Sequence, residues 1–83
     1  MYEEIHEPID VIAYFHNGNL RPLRFRWKGR AYKAKTVNAH WCQSGGVMRN
    51  HHYSVTVASS DSYELQFVTD SFRWNLVRVC FVG

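Results

Sequence analysis

The chain has 83 residues and a formal net charge of +3; at that length it holds one domain, residues 1–83, and buries only about 60 to 65% of its unfolded surface. An apolar fraction of 46% with 16% aromatic residues supports a packed globule, and 20% charged residues are too few for a self-repelling disordered chain. Cys42 and Cys80 are too sparse for the bridge framework of a small secreted domain, and the acidic start MYEEIHEPID has neither the basic nor the apolar region of a signal peptide. No apolar run approaches membrane-spanning length, so a cytoplasmic domain with reduced thiols and no membrane attachment is expected.

Apolar residues recur with period two along most of the chain, which is the mark of strands. Residues 1–8, acidic and ending at Pro8, have the composition of a loose arm. IDVIAYF, residues 9–15, is β-branched and aromatic and stops at Asn17-Gly18, a pair favoured in type I′ hairpin turns. Pro22 belongs at the entrance of the next strand, where Leu23, Phe25 and Trp27 are expected to face the core and Arg24, Arg26 and Lys28 to face solvent. Lys28-Gly29 marks the next reversal, after which Tyr32 and Ala34 alternate with Lys33 and Lys35.

The pattern loosens through Val37, Ala39 and Trp41, as at a bulge or bend, and SGG at 44–46 opens a loop. Tyr53, Val55 and Val57 then share one face, SSDS turns at 59–62, and Tyr63, Leu65 and Phe67 continue the inward set. TDS at 69–71 turns again. In the last segment, 72–82, Phe72, Trp74 and Leu76 fall on one face and Val77, Val79 and Phe81 on the other, which fits a strand buried on both sides or one carrying a bulge. The expected fold is all-β: a small antiparallel barrel or strongly bent sheet of six to seven short strands.

Charge is distributed unevenly along this chain. Residues 1–10 hold four acids and no base, whereas residues 11–60 hold eight bases and no acid. Seven of those bases, Arg21, Arg24, Arg26, Lys28, Arg30, Lys33 and Lys35, lie within fifteen positions. If the rings between them face the core, the pleat sends Arg24, Arg26, Lys28, Lys33 and Lys35 to one face of one hairpin. Solvated sheet faces are commonly guarded by Lys and Arg, but they are normally mixed in sign; an acid-free block points to an anionic partner, and the seven residues are the candidate nucleic-acid-binding set. Alternation sends Phe25, Trp27 and Tyr32 inward, so phosphate contact is favoured over base stacking, for which Trp41 and Tyr14 are the remaining rings.

Other chemistry is poorly represented. His40, Cys42, His51 and His52 are metal-ligand types, joined at a distance by Cys80, but no Cys-x-x-Cys or paired-histidine motif occurs, and His51 and His52 point to opposite faces of a strand. Cys42 with His40 as nucleophile and base lacks a nearby orienting carboxylate. Asp61, Glu64 and Asp70 sit at turns or on a polar strand face, and SGG is too short to cradle phosphate. No catalytic residue, cofactor or metal is expected.

The succession PLRFRWKGRAYKAKTVNAHW, HHYSVTV, DSYELQF and RWNLVRVCF resembles a family of small bacterial domains of unknown function, found free-standing and, in similar form, at the C-terminus of some Y-family DNA polymerase-like proteins. The likeness spans residues 8–82 and is carried by Trp27-Lys28-Gly29-Arg30, Trp41, Tyr53 and Val55, Tyr63-Glu64-Leu65, Trp74 and Leu76-Val77-Arg78-Val79. It implies an all-β domain associated with lesion-bypass polymerase assemblies and transfers no catalytic residue; Cys42 and Cys80 match none of its motifs. Two functions are then open: a non-enzymatic module that contacts nucleic-acid phosphate, DNA above RNA, or an adaptor that pairs with an acidic or repair protein through an exposed strand or the arm bearing Glu3, Glu4 and Glu7.

Overall fold

The computed structural model describes residues 1–45 and 48–82, with the side chains at positions 44, 45 and 48 left aside. Seven strands form in chain order: β1 (Tyr2–His16), β2 (Asn19–Trp27), β3 (Arg30–Lys33), β4 (Thr36–Gly45), β5 (Met48–Thr56), β6 (Ser62–Val68) and β7 (Arg73–Cys80). Among the described residues there is no helix, and none long and apolar enough to cross a membrane. The strands make one antiparallel sheet in the order β3-β2-β1-β7-β6-β5-β4, strongly curled into a half-barrel. Strand β1 is the pivot: up to Ile9 it pairs with β7, and from Asp10 onward with β2.

Local chemistry accounts for both tight hairpins. Asn17 and Gly18 have φ of 49° and 78°, and Lys28 and Gly29 have 52° and 73°, so both central residues of each turn are left-handed, as a type I′ turn requires. A Cβ built on Gly18 or Gly29 would meet nothing within 4 Å. The glycines are therefore needed for their backbone angles rather than for space.

Curling is measured by contacts between strands far apart in the sheet. Strands β2 and β5 are four neighbours apart and would lie roughly 19 Å from each other in a flat sheet, yet the Tyr53 hydroxyl donates to the Leu20 carbonyl at 2.6 Å. Phe25 on β2 and Tyr32 on β3 each bring their ring centroids within 5.1 Å of Tyr63 on β6. Where the chain passes from β3 to β4, the Lys35 amide donates to the Thr56 carbonyl at 2.8 Å. The enclosed core consists of Phe25, Tyr53, Val55, Val57, Tyr63, Leu65, Leu76 and Val79, flanked by Ile9, Val11, Trp27, Tyr32, Val37 and Trp74.

Four ladders slip in register, and the extra residues on β2, β4 and β7 change which side chains face in. Between β1 and β2, Ile12 pairs with Arg24 and Ala13 with Pro22, leaving Leu23 as the extra residue. Leu23 is consequently exposed and Pro22 buried. This corrects the expectation that Leu23 joins Phe25 and Trp27 in the core, and it moves Pro22 from the strand entrance to a bulge, the other place where a missing N–H is tolerated. In β7 the extra residue is Val77, since Leu65 pairs with Leu76 and Glu64 with Arg78. Both Leu76 and Val79 thereby reach the core, which resolves the double-faced pattern of the last strand in favour of a bulge.

The loose arm expected over residues 1–8 is also corrected. Tyr2–Glu4 and Glu7–Ile9 are paired with β7, and the slip between Glu4 and Glu7 includes His6, whose φ is 53°. An acidic segment holds to the sheet because its partner strand offers Arg78, whose guanidinium donates to Glu4 at 2.7 Å. Of the core side chains, Leu65 has no exposed surface. Leu65→Ala should lower unfolding free energy by about 2–5 kcal/mol, read as a shift in denaturant midpoint at constant slope.

Candidate functional site

Residues directly opposite in an antiparallel pair share a face, so the register fixes where each predicted cation lies. Arg24 stands between Ile12 and Lys33, Arg26 between Asp10 and Ala31, and Arg21 opposite Tyr14. All eight are exposed, on the face turned away from the core. Arg21, Arg24, Arg26 and Lys33 therefore share this face. Arg26 donates to Asp10 at 2.7 Å, whereas Arg21, Arg24 and Lys33 have no carboxylate partner among the described residues.

The remaining three cations are elsewhere. Lys28 is in the turn, its ammonium 4.9 Å from the Trp27 ring centroid. Arg30 pairs with Trp27 and so takes the core-facing side at the rim, where its charge acts on Tyr63. Lys35 lies beyond β3, in the link to β4. Five cations on one hairpin face was thus an over-count: Lys28 and Lys35 leave the set because the ladder ends at Trp27 and Lys33, and Arg21 enters because the Leu23 bulge turns it outward. Of the rings considered for stacking, Tyr14 is 50% exposed beside Arg21, while Trp41, 40% exposed, lies against His52 with centroids 5.5 Å apart.

A polar relay runs across the outer face of β5, β6, β7 and β1. Nδ1 of the buried His52 donates to Glu64 at 3.0 Å; because a carboxylate only accepts, this fixes the proton on Nδ1. Nε2 is buried and has no partner among the described residues. Arg78 bridges Glu64 and Glu4, and Glu4 also meets His6 at 3.1 Å. Sequence reading assigned Glu64 only to a polar strand face and missed this relay, because its members come from four strands.

On the other face, β4 and β5 bring three metal-ligand types together. Asn38 is the extra residue where Val37 pairs with Val55 and Ala39 with Ser54, and its side chain donates to Thr56 at 2.8 Å. Past that slip His40 pairs with Tyr53 and Cys42 with His51, so both join His51 on the core-facing side. Strict alternation would have sent His40 and Cys42 outward with Ala39's neighbours, which is why spacing alone did not reveal the cluster. His40 Nε2 is 2.9 Å and Cys42 Sγ 3.4 Å from His51 Nδ1. Burial, followed by the neighbouring His51, holds the His40 imidazole below its usual protonation range. Both cysteines are free thiols. Comparison of the chain with family models, with curated proteins and with solved structures returns no match.

The Arg78 guanidinium is the main reason Glu4 is held below the usual carboxylate value. A depressed carboxylate stabilises the fold above its ordinary pKa, and that contribution is lost as pH falls through the lower, folded value. Thermal midpoints of Glu4→Gln and the parent should therefore converge in acid and separate at neutral pH, with the parent higher.

Proposed function

We propose that the chain is a binding module rather than an enzyme, and that the solvent face of β2 and β3 contacts nucleic-acid phosphate. One observation carries the reading: Arg24 and Lys33 are direct cross-strand partners, and neither has a carboxylate within ion-pair distance among the described residues. Like charges directly opposite weaken a ladder, and a phosphate placed between them converts repulsion into two attractions. Arg21 extends the row along β2, and Arg26 contributes in part because Asp10 already holds it. Exposed Ile12 and Tyr14 lie beside these cations, giving sugars and bases an apolar and aromatic surface. The likeness to domains of Y-family polymerase-like proteins favours DNA and a place in DNA-damage tolerance.

A protein partner is the second reading. Glu4 is engaged by Arg78, and Glu7 accepts from the Trp27 indole at 3.1 Å, so the acidic residues are strand surface rather than a free arm. The outer edge of β4, last in the sheet, is the backbone such a partner would pair with.

Gel shifts against single- and double-stranded DNA and RNA at two salt concentrations separate these readings. Each neutralised phosphate steepens the loss of affinity by about 0.7 to 0.9 log units per log unit of salt. Arg24→Glu with Lys33→Glu removes the one phosphate the pair shares and should flatten that slope by about 0.7 to 0.9, while Asp10→Asn, which releases Arg26, should steepen it. Salt-insensitive binding, or parental affinity in the doubly reversed variant, would overturn the phosphate reading.

A further inference from the structure

His40 and Cys42 are two apart on β4 and share a side of the strand, and His51 stands directly across from Cys42 on β5. One ligand atom from each lies within 4.8 Å of the other two. The nitrogen of His51 that meets both others is Nδ1, at 2.9 Å from His40 Nε2 and 3.4 Å from Cys42 Sγ. Nδ1 offers these two neighbours a single site, a proton in one tautomer or a lone pair in the other, so the two contacts compete for it. A cation at the centre would satisfy all three lone pairs.

The spacing suits a small tetrahedral ion. Zinc bonds of about 2.0–2.1 Å to nitrogen and about 2.3 Å to sulfur put neighbouring nitrogens about 3.3 Å apart and nitrogen from sulfur about 3.6 Å. The two separations from His51 Nδ1 are shorter by only a few tenths of an ångström, a change that small side-chain rotations supply. Two imidazoles and a thiolate select a borderline-soft ion over calcium or magnesium, which require oxygen donors.

The surroundings hold the ligands in place. The His40 ring stacks on Tyr53 with centroids 4.4 Å apart and planes 2° from parallel, and on His51 at 5.2 Å. Tyr53 is itself 2% exposed and anchored through its hydroxyl to Leu20, so the plane of His40 is set by the core. His40 and Cys42 are exposed and His51 is half-buried, which leaves solvent access for loading and an open fourth position.

We propose that His40, Cys42 and His51 form a zinc site with three protein ligands and a fourth position open to water. The site is independent of the phosphate-binding face, from which it differs in strands and in side of the sheet. His52 belongs to the other face, where it bonds to Glu64 and packs on Trp41, and it supplies the internal control.

The test uses reduced full chain stripped by a chelator, titrated with zinc chloride by calorimetry and with cobalt chloride by absorption. One equivalent should bind, and cobalt should show a thiolate-to-metal charge-transfer band with intense tetrahedral bands. Cys42→Ser should abolish the charge-transfer band, and Cys42→Ser and His51→Gln should each weaken zinc by more than about a hundredfold, the upper end for changes to outer-shell partners. His52→Gln should bind zinc as the parent does. Circular dichroism of each apo variant shows that the sheet is intact, and the exposed position of Cys42 makes its variant the decisive one. No charge-transfer band in the parent, or parental zinc affinity in Cys42→Ser, would overturn the site, as would loss of binding in a folded His52→Gln.

Discussion

A β-strand can give the core only every second side chain, and a seven-stranded sheet closes around one small core only if its ladders break that alternation in the right places. Here they slip at Ile12/Ala13, Glu4/Glu7, Val37/Ala39 and Glu64/Leu65. The extra residues Leu23, Asn38 and Val77 each bend and twist their strand and reverse the facing of the residues beyond them. The slips thus do two jobs: they curl the sheet until β2 and β3 meet β5 and β6, and they decide which side chains are enclosed. Buried Pro22 beside exposed Leu23, and buried Leu76 and Val79 on either side of the Val77 bulge, are local records of the same constraint.

Enclosing one face leaves the other to be satisfied by polar chemistry. Glu64 accepts from both His52 and Arg78, and Arg78 reaches on to Glu4, so strands β5, β6, β7 and β1 are tied on the side away from the aromatic core. His52 and Glu64 are mostly buried although they lie on the outer face, and a buried polar group of this kind is costly unless hydrogen-bonded. The relay therefore explains how an acidic first segment and a basic last strand remain paired, with the first and last elements of the chain side by side.

The two proposed functional surfaces occupy different regions of this frame. The phosphate face belongs to the β1-β2-β3 end and to the outer side, and its residues are presented by a ladder between two tight turns. The histidine and cysteine cluster belongs to β4 and β5, the opposite end of the sheet, on the core-facing side. Rigid strands, rather than loops, present both. Strand presentation holds cross-strand partners at fixed spacing, which suits two cations gripping one phosphate as well as three donors gripping one ion.

Composition and period two were sufficient for the fold class, since alternating aromatic and β-branched residues between Asn-Gly, Lys-Gly and serine-rich turns can bury their rings only as an antiparallel sheet. The inward sets Tyr53, Val55, Val57 and Tyr63, Leu65, Phe67 were legible because β5 and β6 pair without a slip. Arg24, Arg26 and Lys33 could be placed on one face for the same reason, as the β2–β3 ladder is unbroken from Arg24 to Trp27. Tertiary pairing alone settled the paired state of residues 1–8, the outward turn of Leu23 and Arg21, the union of His40 and Cys42 with His51, and the relay through His52, Glu64, Arg78 and Glu4. A bulge depends on how two strands meet, and an ion pair between Glu4 and Arg78 depends on the first strand lying against the last; neither leaves a periodic trace in one segment, so neither could be read before the strands were assembled.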